Sequence, residues 1–300
     1  MKATIVIVTR NRLEELRRAV RSAIAQSIQP EVIVVDDGSH DGTAAAVATE
    51  FPDVRLISQP DSQGYIRRRN QAAAIASAPI LFSIDDDAEL RSTRTVEQTL
   101  REFDSPQIGA VAIPCIEPNK GNSVFQQAPD ANDCWITDSY IGTAHAVRRD
   151  VFLELGGYRE GLVHQGEERD FCLRMLAAGH VVRLGRADTI YHYESPKRDL
   201  SRMDYHGRRN DILFAWHLVP LPVLPLHLAG TTINGVRSAW QAGRAGSMLK
   251  GMLAGYVGGA QAWRDRAAVS AALYRLYRQI KKRGPVRLDA IRSALPPPTC

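Results

Sequence analysis

Cysteine is nearly absent: the 300 residues hold 4, at Cys115, Cys134, Cys172 and Cys300, with no C-x-x-C spacing. A zinc ribbon or a disulfide framework is therefore not expected, and reduced thiols in the cytosol are the natural state. Acidic residues are scarce in the last hundred positions. Residues 201–300 carry 15 Lys and Arg against 4 Asp and Glu, a net of +11. Residues 1–200 are left with a net of −6, so the overall +5 hides a division between an acidic and a basic part. Charge of either sign is missing altogether from residues 212–236. Pro220, Pro222 and Pro225 interrupt that run, and a spanning helix needs roughly 20 apolar residues, so one straight membrane span is not expected. The opening MKATIVIVTRNR lacks a signal core, because Arg10 and Arg12 cut the apolar stretch short. With 44% hydrophobic and 24% charged residues, the chain reads as one large globular domain or as a domain with a substantial appendage.

Four apolar runs are present in the first third, each ending in polar residues: ATIVIVT before RNR, EVIVVDD before GSHDGT, VRLIS before QPDSQGY, and PILFSI before DDDAEL. A helical pattern follows each one. Continuous Val, Ile and Leu strands alternating with helices indicate a mostly parallel sheet covered on both faces. Asn11 is placed to cap a helix over residues 12–26, Asp41 or Thr43 starts a second, and further helices fit residues 64–77 and 93–103. IGAVAIPCI reads as a fifth strand, and residues 117–133, rich in Pro, Gly and Asn, as a mobile loop. Beyond them come a strand near residues 140–147, a short helix at 149–155, a helix at 167–178 closed by Gly179, and the strands HVVRL and TIYHY.

Ligands of such sheets bind outside the carboxyl ends of the strands. Thr9, Asp36, Asp37, Ser58, Asp85, Asp86 and Asp87 all fall at that edge. Unpaired carboxylates are too costly for a core, and three in a row repel one another unless a cation or strong donors neutralise them. Mg²⁺ takes one or two carboxylates together with substrate phosphate oxygens, so the pattern predicts a metal–diphosphate site. A solvated acidic turn is the alternative. The strand context and the second acidic strand end, Asp36-Asp37, count against it.

VTRNR, VVDDGSHDGT, GYIRRRNQA, DDDAEL, GGYREGLVHQGEERDFCLRMLAAG and YHYES follow one another in this order. As an ordered set over about residues 1–195 they resemble family 2 glycosyltransferases, the rhamnosyltransferase-like ones most closely. The resemblance implies an α/β protein with the GT-A fold, a Rossmann-like, mostly parallel sheet flanked by helices; beyond it, the tail's mixture of Trp, Tyr and Leu with Arg and Lys reads as a C-terminal helical amphipathic extension. The resemblance places Thr9 and Asp37 at the nucleobase, with Asp36 anchoring the loop. Arg69, with Arg67 as a second candidate, would meet the diphosphate, while Arg68 reads as a solvated basic face. Asp85 and Asp87 map onto the Asp-x-Asp motif, the first toward the ribose or a metal-bound water and the second as metal ligand. Asp86 could replace either neighbour. His192 matches a position that adds an imidazole to the same metal, although a strand histidine without such a role is equally consistent. Glu168 stands where the family carries its general base, one methylene longer than the usual Asp, with Glu167 and Asp170 as alternatives.

These assignments imply a metal-dependent inverting glycosyltransferase, with Mg²⁺ or Mn²⁺ as the cation and a UDP-, dTDP- or GDP-linked sugar as donor. The acceptor would be a glycan or a lipid-linked hydroxyl, as in surface polysaccharide assembly. Residues 1–198 would form the catalytic domain. Residues 199–300 would form a basic, hydrophobic tail on the cytoplasmic membrane face, with Trp216 and Leu side chains buried in lipid, or else a packing or dimer arm. Nucleic acid is not an expected partner, because the basic residues interleave with apolar ones. A sugar-phosphate nucleotidyltransferase is an alternative, but it wants a Gly-rich loop after the first strand and VTRNRLEEL has no glycine. A nucleotide-sugar-binding membrane protein without turnover is another.

Overall fold

The computed structural model describes residues 1–194 and 199–299. The expected domain boundary at residue 198, Ser195 of YHYES and Cys300 lie outside the described residues. The first third is the expected alternation: β1 (Ala3–Thr9), α1 (Leu13–Ile24), β2 (Glu31–Asp36), α2 (Thr43–Glu50), β3 (Arg55–Ser58), α3 (Tyr65–Ile75) and β4 (Ile80–Asp85). β1 pairs in parallel with β2 and β4, and β2 with β3. Successive residues explain the unbroken apolar runs: Ile5, Ile7, Val32 and Val34 enter one core, while Val6, Ile33 and Val35 enter another on the opposite face.

Next come β5 (Ala88–Leu90), α4 (Thr95–Arg101), β6 (Ile108–Ala112), β7 (Cys115–Ile116), β8 (Val124–Phe125), β9 (Trp135–Thr137), β10 (His145–Arg148) and α5 (Arg149–Glu154). They are followed by α6 (Glu167–Ala177), β11 (Val181–Leu184) and β12 (Ile190–His192). The chain ends with α7 (Leu200–Leu218), α8 (Leu224–Ala242), α9 (Ala245–Gln261), α10 (Ala271–Arg283), β13 (Val286–Arg287) and α11 (Leu288–Ile291). The main sheet has nine strands in the order β13-β9-β11-β6-β10-β4-β1-β2-β3. β10 runs antiparallel between β4 and β6. A second sheet, β5-β12-β7-β8, lays β12 beside the residues that follow β4, with His192 opposite Ala88.

Three expectations need correction. Asn11 does not cap α1: it sits at φ +53°, its Oδ1 accepts from the His40 amide at 2.7 Å, and Asp41 Oδ2 takes the Leu13 amide at 3.2 Å instead. Residues 117–133 are not one long irregular loop. They contain β8, and Gln126 Nε2 donates to the Ile113 and Ala144 carbonyls at 3.0 and 2.9 Å. Trp216 is not free for lipid, because it stacks edge-on against Trp263 at 5.7 Å and a Cβ on Gly259 would lie 2.1 Å from its ring.

The tail shares the core of the preceding residues. Phe214, Leu218, Tyr274 and Tyr277 pack in the cluster that holds Phe82 and Leu100. β13 adds the last strand beside β9. α9 crosses α7 so closely that a Cβ on Gly251 would lie 2.2 Å from the Tyr205 carbonyl oxygen. Among the described residues no helix is long and apolar enough to cross a membrane.

Candidate active site

Register alone brings the polar strand ends together: Val8 pairs with Asp85, Thr9 with Asp36, and Asp36 with Ser58. Val8, Thr9 and Asp85 border a cleft of about 790 Å³ that is also lined by Asp37, Arg69, Asp86, Asp87, Glu168 and His192, among others, whereas Asp36 and Ser58 do not line it. Of the sequence-predicted residues, Arg67 does not line it either. Its side chain is half exposed and pairs with Glu160 at 2.8 Å.

The three consecutive carboxylates divide between Arg69 and Arg12. Asp85 Oδ1 accepts from Arg69 Nη2 at 2.6 Å. Asp86 accepts from Thr9 Oγ1 at 2.8 Å and Arg12 Nη1 at 3.0 Å. Burial outweighs the nearby Arg12 charge and pushes the Asp86 carboxyl up to about 7. Asp87 Oδ2 accepts from the same Arg12 nitrogen at 2.9 Å. Burial works against ionised Asp87, but His192 and Arg12 outweigh it and hold its carboxyl below the usual range.

Asp85, Asp87 and His192 offer ligand atoms that all lie within 4.8 Å of one another. His192 Nε2 is 3.1 Å from Asp87 Oδ1 but off the line a hydrogen bond needs, so this buried oxygen has no hydrogen-bond donor. Nδ1 of the same ring lies 3.3 Å from Glu117 Oε1, which fixes the ring with Nε2 toward the carboxylates. Burial disfavours imidazolium here, yet Asp87, Asp85 and Glu117 together raise the His192 pKa. The negative field that Asp85, Asp87 and Glu117 set around the ring would equally attract a divalent cation. Two carboxylates and an imidazole around an unsatisfied buried oxygen form a donor set that fits such an ion.

At the start of α6, three acids that the sequence left interchangeable occupy three environments. Asp170 is buried and bridges Arg159 and Arg174 at 3.1 and 2.8 Å, so it is committed to packing. Glu167 is wholly buried, 3.7 Å from Arg69 Nη1, with neither carboxyl oxygen hydrogen-bonded. Glu168 alone of the three lines the cleft. Burial raises the pKa of both glutamates against the opposing charge of Arg69, and raises Glu167 further because Glu168 adds to it. Arg69 is thus the hub of the site, pairing with Asp85 on one side and Glu167 on the other while its guanidinium lies 5.0 Å over the Tyr65 ring.

At the opposite end of the cleft, Asp36 anchors its turn by accepting from the Ser39 amide at 3.0 Å. The expectation for Arg68 is overturned. It is 4% exposed, and its Nε donates to Asp37 Oδ1 at 2.6 Å. Asp37 also accepts from Ser62 Oγ and from the Gln63 and Gly64 amides at 2.7, 2.8 and 2.9 Å, which clamps the loop before α3. A base edge reaching Asp37 therefore shares the carboxylate with four donors already in place. Asp37→Ala should cost about 3–5 kcal/mol of stability, because it strands the buried Arg68 charge. Arg67→Ala, which breaks an exposed pair, should cost about 1 kcal/mol or less. Urea denaturation midpoints check the contrast, and equal losses would contradict it.

Arg12 and Glu117 were not singled out in the sequence. Arg12 resembled an ordinary helix start, although a cation directly after β1 and opposite an acidic strand end was a usable signal. Glu117 lay in the stretch expected to be mobile and carried none.

Comparison with known proteins agrees with this geometry. The family model described as Glycosyl transferase family 2 matches residues 4–156. The chain is 27% identical over 223 residues to the uncharacterized glycosyltransferase YwdF of Bacillus subtilis, covering 71% of this chain and 82% of that one. It is 27% identical over 256 residues to the pre-mycofactocin glycosyltransferase of Mycobacterium tuberculosis, covering 79% of this chain and 51% of that protein, about half its length. Its fold resembles that of the mannosyltransferase PcManGT from Pyrobaculum calidifontis, solved in complex with GDP-Man and Mn²⁺. That likeness has a TM-score of 0.60 at 19% identity and covers 98% of this chain and 85% of the other. With more than half of its length matched by the family model and the acidic strand ends gathered in one cleft, the chain belongs to glycosyltransferase family 2 and has its GT-A fold.

Proposed function

We propose that the chain is a metal-dependent inverting glycosyltransferase that moves a sugar from a nucleoside-diphosphate donor to an acceptor hydroxyl. The observation that carries the reading is the convergence of Asp85, Asp87 and His192 in the cleft that also holds Glu168. Asp37 and Thr9 receive the nucleoside end. Arg69 orients Asp85 and adds positive charge to the floor of the cleft. Asp85, Asp87 and His192 hold Mg²⁺ or Mn²⁺, which when bound stabilises the negative charge that develops on the departing diphosphate. Glu168 accepts the proton of the attacking hydroxyl, and a single displacement at the anomeric carbon inverts it. Asp86 keeps Thr9 and Arg12 in position and leaves the ligand oxygens of its neighbours free. The acceptor is a glycan or a lipid-linked hydroxyl of surface polysaccharide assembly at the cytoplasmic membrane face, a reading supported by the basic tail.

A donor panel tests this. A matching UDP-, dTDP- or GDP-sugar at 100 times its dissociation constant should stabilise the chain by about 2.7 kcal/mol. The thermal shift should appear only with Mg²⁺ or Mn²⁺ present. Equal shifts after chelation would remove the metal from donor binding, and no shift with any donor would remove the reading itself.

A further inference from the structure

α8 turns Leu224, Gly235 and Ala239 inward and leaves a row of large apolar side chains in solvent. Leu226, Ile233, Val236 and Trp240 follow one another at seven, three and four residues, which is a single helical stripe. Trp240 is 87% exposed and Leu226 79%. On α9, Leu253 and Val257 are also exposed, one turn apart. The helices are joined by the Thr232 Oγ1–Tyr256 OH hydrogen bond of 2.6 Å and by Met252 against Gly235. Ile233, Val236, Leu253 and Val257 are direct sequence neighbours of these four joining residues, so the two stripes flank one seam. Scattered apolar side chains on a surface need no explanation, whereas a contiguous apolar face marks a partner.

Charge identifies the partner. α8 and α9 contain no Asp or Glu. Arg237 adjoins Val236 and Lys250 adjoins the α9 stripe, and neither makes an ion pair among the described residues. A second copy of the chain would set this positive face against itself. An anionic bilayer offers the complementary charge and an apolar layer just beneath it, and tryptophan favours that boundary. Since neither helix is long and apolar enough to span, the geometry that buries both stripes is in-plane. We propose that the outer face of α8 and α9 docks on an anionic membrane surface, with the two helices lying flat and Trp240 inserted at the interface. The surface differs from the sequence expectation, because the uncharged residues 212–218 belong to α7 and are mostly packed in the core. The inference stands whether or not the catalytic reading does.

Vesicle sedimentation of the full chain tests it. The protein should pellet with equimolar phosphatidylglycerol–phosphatidylcholine vesicles, not with phosphatidylcholine alone, and added salt should release it. Arg237→Ala with Lys250→Ala should weaken partitioning roughly 25-fold, at about fivefold per charge near the surface. Ile233→Glu with Leu253→Glu should weaken it at least about tenfold through lost apolar burial. All four side chains are exposed, so thermal midpoints should stay at the wild-type value and report intact folding. Equal binding to both vesicle types, or wild-type binding by the glutamate pair, would overturn the proposal. A dimer seen by light scattering that Ile233→Glu dissolves, with no vesicle binding, would also overturn it and assign the face to a second copy.

Discussion

Asp87→Ala should abolish sugar transfer and leave the protein folded. The substitution removes the buried oxygen that lacks a hydrogen-bond donor beside His192 Nε2. It also gives up the attraction of Arg12 and His192 for this carboxylate, but both cations keep other acidic partners. Arg12 is not stranded, since it keeps Asp86 at 3.0 Å and is about one-third exposed. His192 keeps Glu117. EDTA should reproduce the loss in the wild type, Mg²⁺ or Mn²⁺ should restore it, and neither ion should rescue the variant. Transfer assays with a thermal-unfolding control measure both halves. Turnover indifferent to chelators and to this substitution would leave the acidic strand end with a purely positioning role.

Glu168→Gln should lower the turnover rate by about 10²–10⁴, the usual contribution of a general base, with donor affinity nearly unchanged. The amide keeps the shape of the side chain but cannot accept the proton. Glu167→Gln is the informative comparison. Burial and its neighbour raise the Glu167 pKa, and the side chain lies outside the cleft with neither oxygen hydrogen-bonded, so an amide of the same shape should take its place. The two substitutions, one residue apart, should differ by at least about 10² in rate. The pH profile follows from the same environment. Burial raises the Glu168 pKa, and a base works only when ionised, so kcat/KM should fall on the acid side at a pH above the ordinary carboxylate range. Near-normal turnover of Glu168→Gln beside a slow Glu167→Gln would exchange their roles.

Periodicity in the sequence was sufficient for β1 to β4 and the helices between them. β1, β2 and β4 are buried on both faces and must be apolar at nearly every position, and that constraint is local, while β3 is a half-exposed edge strand whose apolar residues are its two central ones. The acids at those strand ends were legible for the same reason, because carboxylates that close a buried run have to meet solvent or a ligand. Gly179 was legible too, since its φ of +84° is one that other residues resist. Of the shorter strands, β10, β11 and β12 were read from their apolar content, whereas β8, β9 and β13 were beyond reach, since a segment of two or three residues carries no period and exists through its neighbours.

Only the tertiary structure decided the individual roles. It separated Asp86 from Asp85 and Asp87 by supplying Thr9, 77 residues away in sequence, and it turned Arg68 from an apparent surface cation into the buried partner of Asp37. It distinguished Glu167, Glu168 and Asp170, which share one helical turn and one charge, by burying the first, opening the second to the cleft and pairing the third. It also divided the uncharged stretch at residues 212–236 between a packed helix and an exposed one. The sequence by itself determined which residue types could serve as core, ligand or base. Which of several equivalent residues is buried, paired or open to the cleft was decided by contacts between distant segments, because burial and ion pairing depend on what the rest of the chain brings to each position.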